Sequence, residues 1–387
     1  MKRADQEFLN RYSYNGRWAE IDRGTTPLTS ADIDFNIAPE IGEAICKHVK
    51  NGWLGYGPKS GLPELKNVIA KVYNERYHVP IDSEQVLIYN SAANAIQHTV
   101  NHLMKHGEEA IIADPMDYLF ATSIKNRGGK IKHFHIPGPG IDIDFEAFES
   151  LIGPKTRFLA LCNPMNPTGR VFNREELFKF GSICLQHNIK ILNDEIWNEI
   201  IYPGNQFLSI ASLNAGIRDI CYTINGFSKT FGIAGLRVGF VIAPNDLCAY
   251  ELYKTSHFES TIEGVSVLSQ IGALAAYESC WYWVDEFRDY LTKNMEKTVG
   301  ILNTCQSLET LKPQGCYVVF PKIKIPDWNG NRMQDYLLHK TKVAVVPGGH
   351  RWFGPQSQEH FRISLASETN KLATSIDKIV EAINEIH

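Results

Sequence analysis

Asn225-Gly226-Phe227-Ser228-Lys229-Thr230-Phe231-Gly232-Ile233-Ala234-Gly235-Leu236-Arg237-Val238-Gly239-Phe240 sets one lysine among small residues and follows it, eight positions on, with an arginine. An amine that forms a Schiff base with an aldehyde needs an uncrowded, partly desolvated pocket, which lowers its pKa. A guanidinium nearby holds a phosphate in fork geometry. The pair therefore fits a ligand that carries both an aldehyde and a phosphate. Two surface cations at this spacing would read the same way, so the stretches upstream decide.

In Leu161-Cys162-Asn163-Pro164-Met165-Asn166-Pro167-Thr168-Gly169-Arg170 an apolar strand over 158–161 runs into a Pro/Asn/Gly turn. Such turns are where an open α/β sheet presents ligand-binding groups, and this one aims the Asn166 amide. In Ile189-Lys190-Ile191-Leu192-Asn193-Asp194-Glu195-Ile196-Trp197 a second short strand delivers Asp194 at its C-terminal end. A carboxylate there keeps a pyridine nitrogen protonated, and the charged ring withdraws electrons from a bound amino acid. Amine, phosphate clamp and ring partner together point to pyridoxal phosphate.

Working outward, short apolar runs over 85–89, 110–113, 130–134, 158–161, 190–192, 220–224 and 238–243 alternate with helical stretches. That alternation predicts a mostly parallel sheet covered by helices on both faces. Ahead of it lie a loose arm through residue 34, a helix over 39–51, a Gly/Pro-rich turn over 52–61 and a helix over 62–77. A helix over 93–104 opens beside Ser91, Ala92 and Ala93. After Trp283 come a long helix over 284–303, strand-like runs at 316–320, 343–346 and 361–365, and a final helix from Glu368. The expected division is an N-terminal arm with part of a small domain over 1–44, a large domain over 45–283 and a C-terminal small domain over 284–387. The aromatic run Trp281-Tyr282-Trp283, beside a helix start, reads as core or subunit interface.

Six pieces in order carry a family resemblance: Leu54-Gly55-Tyr56-Gly57-Pro58 with Gly61-Leu62-Pro63-Glu64-Leu65; Asn90-Ser91-Ala92-Ala93-Asn94-Ala95-Ile96; 163–169; Asp194-Glu195-Ile196; Ser228-Lys229 with Arg237; and Phe361-Arg362-Ile363-Ser364. The chain resembles the pyridoxal-phosphate enzymes of fold type I, the aminotransferase class I/II family, over nearly its whole length. The resemblance implies an α/β fold with a seven-stranded, mostly parallel sheet between helices and a smaller α+β domain. It makes Lys229 the Schiff-base lysine and proton shuttle, Asp194 the partner of the ring nitrogen, and Asn166 the partner of the phenolic oxygen. Arg237, Ser228 and the backbone around Ser91, Ala92 and Ala93 would hold the phosphate. Tyr56 would reach the phosphate of a neighbouring subunit in a homodimer, and Arg362 would grip the substrate carboxylate. Ser30-Ala31-Asp32-Ile33-Asp34-Phe35 is similar to the entrance segment of the cystathionine β-lyase-like branch, which puts Asp32 near the substrate.

Three positions depart from the family. Trp197 stands where a tyrosine usually helps hold the phenolic oxygen, and an indole has no acidic hydroxyl. In Asp114-Pro115-Met116-Asp117-Tyr118-Leu119-Phe120 the place of the stacking aromatic holds Asp117, with Tyr118 one step later. Either the backbone bulges so that Tyr118 covers the ring, or Asp117 faces the site and meets a cation. Gly226 replaces a frequent phosphate-binding serine, as it does in other members.

The expected reaction joins the cofactor to an L-α-amino acid as an external aldimine and labilises its Cα–H bond. Transamination is the leading outcome; β-elimination, as in carbon–sulfur lyases, and oxidation of a cationic amino acid such as arginine by dioxygen are the alternatives. A non-catalytic, ligand-sensing regulator is the alternative from another class. The formal net charge of −4 and pI near 6.4 argue against nucleic-acid or membrane-surface partners. No apolar run approaches the roughly 20 residues of a membrane span, and Met1-Lys2-Arg3-Ala4-Asp5-Gln6-Glu7 lacks a signal-peptide core. Eight scattered cysteines without a C-x-x-C pair read as reduced thiols, and no histidine spacing suggests a metal. These features predict a cytoplasmic protein.

Overall fold

The computed structural model describes residues 8–9, 14–260 and 264–386. The stretch 1–7, on which the expectation about a signal peptide rests, lies outside the described residues. The seven apolar runs pair into one sheet: β1 (Val86–Tyr89), β2 (Glu109–Asp114), β3 (Lys130–His135), β4 (Thr156–Cys162), β5 (Lys190–Asp194), β6 (Cys221–Gly226) and β7 (Gly239–Ile242). Their order across the sheet is β1-β7-β6-β5-β4-β2-β3. Ile191, Leu192, Asn193 and Asp194 are all buried, so β5 shows no polar alternation; helices cover both faces.

Only β7 runs against its neighbours; the pairs among β2 to β6 are parallel. The C-terminal ends of β1, β2, β4, β5 and β6 therefore share one edge with the start of β7. The segments at 90–96, 114–120, 163–169, 194–197 and 226–238 leave the sheet at that edge.

Helices α1 (Pro39–Lys50) and α2 (Pro63–Arg76) each open with proline at the first turn, where its missing N–H has no intrahelical partner to lose. Helix α3 (Ala92–Leu103) follows β1, and α4 (Tyr118–Asn126) follows β2. The long helix α5 (Trp281–Leu302) begins at the aromatic run, where Trp283 is buried and the Tyr282 hydroxyl donates to Glu40. It packs against the last helix, α6 (Thr369–Asn384).

The C-terminal part carries a three-stranded sheet of Val318–Val319, Phe361–Ser364 and Val346–Pro347. The run expected over 316–320 is shorter than its composition suggests because Cys316 has a left-handed backbone, φ 64°, outside β geometry. The N-terminal segment is stitched to this part. Thr26–Pro27 pairs with Val343–Ala344, and the Arg17 guanidinium donates to Pro27 O, Asp32 O and Ser367 Oγ at 2.8, 2.8 and 2.6 Å.

Candidate active site

The common sheet edge opens on a cavity of about 490 Å³. At one end, Ser91 caps α3 by accepting from Asn94 N at 3.2 Å. Its φ of 105° lies where only glycine is at ease. Arg237, also left-handed at φ 54°, donates from Nη2 to Ser91 Oγ at 2.9 Å. Gly239 permits this closeness, since a Cβ there would sit 2.3 Å from Ala92 N. A Cβ at Gly226 would lie 2.9 Å from Val238 O, so a serine there would force the strands apart. Ser91, Ala92, Ala93, Ser228 and Arg237 line this end, where the N-terminus of α3 favours an anion.

Lys229 follows β6 and is half-buried, with Nζ donating to Ala31 O at 2.5 Å and standing 5.4 Å from the Trp197 ring centre. Burial lowers its pKa and Arg362 adds to that, against the opposing charges of Asp32, Asp117 and Asp194. A lowered pKa raises the share of neutral, nucleophilic amine. Asp194 ends β5 with Oδ1 accepting from Ile196 N at 3.0 Å. Burial pushes its carboxyl up to about 7, and the charges of Asp117 and Glu195 push the same way, against the Ile196 bond and Lys229. A protonated ring nitrogen would restore its ionised form.

Between them lies a chain of three side chains. Arg362 Nη1 donates to Asn166 Oδ1 at 3.0 Å, and Asn166 Nδ2 donates to Asp117 Oδ2 at 3.0 Å. The amide is thereby fixed in one orientation, with one N–H left for a further acceptor. Arg362 is buried, its Nη2 donates to Thr29 O, its Cζ lies 5.0 Å from the Phe353 ring centre, and its Nε has no partner among the described residues. A buried guanidinium nitrogen left open suits an arriving carboxylate.

The question of Asp117 or Tyr118 resolves into both. Asp117 caps α4, accepting from Leu119 N at 3.2 Å while it holds Asn166, and Tyr118 is left 40% exposed on the cavity wall. Asp32 stands just behind the cavity lining: its carboxylate accepts from Asn15 Nδ2 at 2.7 Å and from Ile33 N at 2.9 Å, and its charge acts on Lys229. The neighbouring Ala31 carbonyl reaches the site instead, accepting from both Lys229 and the Tyr317 hydroxyl. A carbonyl leaves no mark in a sequence, so only the similarity of 30–35 pointed there. Tyr56 is 93% exposed and away from its own cavity.

Sequence reasoning also missed Tyr317, edge-on to Trp197 at 4.6 Å. It missed the buried chain behind Asp194 as well, in which Asn225 Nδ2 donates to Tyr73 Oη and Tyr73 Oη donates to Glu195. Among the described residues no cluster of His, Cys, Asp or Glu is placed to hold a metal ion, and no helix is long and apolar enough to cross a membrane. An anion-binding helix end, a desolvated amine, a buried carboxylate and an open guanidinium nitrogen fit pyridoxal phosphate with an amino acid.

Comparison with known proteins agrees. The sequence pattern of the family Aminotransferase class I and II matches residues 24–383. Aspartate aminotransferase from Pyrococcus abyssi (strain GE5 / Orsay) is 28% identical over 371 residues, covering 95% of this chain and 94% of that protein. Cystathionine beta-lyase PatB from Bacillus subtilis (strain 168) is 26% identical over 367 residues, covering 92% of each. A pyridoxal-phosphate-bound crystal structure of a putative aminotransferase from Clostridium difficile 630 superposes with a TM-score of 0.89 at 26% identity, over 97% of this chain and 98% of that one. Cystalysin from Treponema denticola shares the fold, with a TM-score of 0.92 at 23% identity over 100% of both chains.

Proposed function

The chain belongs to the aminotransferase class I and II family and is a pyridoxal-phosphate-dependent enzyme, and from that premise we propose that it transaminates an L-α-amino acid at the cavity built around Lys229. One observation carries the proposal. Lys229 and Arg362 line one cavity, and the buried Arg362 Nε has no partner among the described residues, so an amino acid is held there by its carboxylate while its α-carbon is deprotonated.

When bound, the cofactor supplies an aldehyde for the substrate amine and an electron-withdrawing ring for its α-carbon. Ser91, Ala92, Ala93, Ser228 and Arg237 hold its phosphate, Asp194 its ring nitrogen and Asn166 its phenolic oxygen, with Tyr118 on the adjoining wall. Arg362 binds the substrate carboxylate in fork geometry. Lys229 Nζ, its pKa lowered by burial, would take the α-proton and return it. The Ala31 carbonyl holds that amine in place between its tasks.

β-Elimination is the second reading, favoured by the similarity to cystathionine beta-lyase PatB. The oxidative reading rests on Asp117, which lines the cavity and is oriented there by Asn166 and Leu119. An assay of the holoenzyme across the amino acids that follows keto acid, ammonia and peroxide separately distinguishes these reactions. Amino transfer to an added keto acid without net ammonia supports transamination; stoichiometric ammonia and pyruvate would replace it with elimination.

The working unit is a homodimer in this reading. Trp53 is 62%, Leu54 63% and Tyr56 93% exposed within one segment, a patch that a second copy would cover. Eight unpaired cysteines suit a reducing, cytoplasmic compartment.

A further inference from the structure

We infer that the substrate's side chain lies against Trp352 and that the substrate is an α-amino acid with a large uncharged side chain. The inference rests on the reading of Lys229 and Arg362 given above, which fixes the amine and carboxylate and leaves one wall for the rest of the molecule. The cavity lining includes Ile21, Tyr118, Val346 and Trp352. Trp352 stands edge-on to Tyr118, ring centres 5.5 Å apart at 87°, and its neighbour Phe353 lies under the Arg362 guanidinium. Its turn is well braced. The N–H groups of Trp352 and Phe353 donate to Gly349 O at 3.0 Å, and Phe353 O accepts from Met116 N at 2.9 Å, so the indole is a fixed apolar surface.

Charge disfavours the other substrate classes. A second carboxylate would need a cation, but Arg17 is bonded to Pro27 O, Asp32 O and Ser367 Oγ, Arg237 belongs to the phosphate end with Ser91, and Arg351, 4.9 Å from the Trp352 ring centre, is exposed to water and outside the cavity lining. A cationic side chain would need a carboxylate turned toward it, but that of Asp117 is oriented by Asn166 and Leu119 and that of Asp32 by Asn15 and Ile33, behind the cavity lining. Glu20 sits exposed at the rim, where water screens it. An unpaired charge against an aromatic wall is costly.

The test uses the holoenzyme and amino acids with a methyl group in place of the α-hydrogen, which bind without turnover; binding is read from the cofactor's absorbance. α-Methylphenylalanine should bind at least about 10-fold more tightly than α-methylaspartate or α-methylornithine. Trp352→Ala should weaken α-methylphenylalanine about 10-fold and leave 2-aminoisobutyrate within about 2-fold. Trp352→Leu serves where the alanine variant does not fold, with a smaller loss of the same selectivity. Tightest binding of α-methylaspartate or α-methylornithine, or an equal loss for large and small analogues, would overturn the inference while the site reading stands. No absorbance change with any of the four analogues would bring down the site reading and the inference together.

Discussion

At the scale of single residues, the site works by withholding water from charges. Burial lifts the Asp194 carboxyl to about 7 against an ordinary 3.8, and Glu195 beside it also to about 7 against 4.5. A carboxyl whose folded pKa exceeds its unfolded one favours folding while protonated, and that contribution is lost as pH rises through the folded value. The cofactor-free protein should therefore lose thermal stability between about pH 4 and 7, and Asp194→Asn should flatten part of the loss; an unchanged slope in differential scanning would contradict the burial assigned to Asp194. Arg362→Lys tests the carboxylate grip. A lysine offers a point charge where a fork is needed, so KM for the amino acid should rise on the order of 10- to 100-fold with a smaller fall in kcat; an unchanged KM would move the carboxylate elsewhere. Lys229, Asp194, Asn166, Arg237 and Arg362, singled out in the sequence by their chemistry, line one cavity. Ala31 and Tyr317 were not legible there, since a backbone oxygen has no sequence identity and a buried tyrosine looks like core.

At the scale of elements, placement of the site follows from strand direction. Parallel strands bring their C-terminal turns to one edge, and β7, running the other way, brings Arg237 to the same edge from its N-terminal side. The seven apolar runs gave the strands to within a residue or two. The reversal of β7 was not readable, because an apolar run buried on both faces carries no sign of direction. Gly239 is where two elements depend on one missing side chain. Gly239→Ala sets a methyl 2.3 Å from Ala92 N and should push α3 from β7, costing about 1–3 kcal/mol of stability and about 10-fold or more in cofactor affinity. Denaturant titration and absorbance titration with pyridoxal phosphate measure the two; wild-type values for both would show that the contact positions nothing.

At the scale of the whole molecule, the chain closes its site with its two ends, the N-terminal segment lying across the sheet edge and joined to the C-terminal strands. The division expected at 44/45 and 283/284 falls within α1 and α5; we propose that these two helices carry the chain from one part to the other. The proposed homodimer is tested at the exposed segment from Trp53 to Tyr56. Sedimentation should give twice the 43.7 kDa chain mass, and Trp53→Glu with Leu54→Glu should shift the protein toward monomer and weaken cofactor binding; a wild-type monomer with full activity would contradict the dimeric site. The most direct measurement is peptide mass mapping of protein saturated with pyridoxal phosphate and reduced with borohydride. The cofactor's mass should appear on the peptide holding Lys229 and vanish in Lys229→Ala; a modified lysine elsewhere, with residue 229 untouched, would contradict the account.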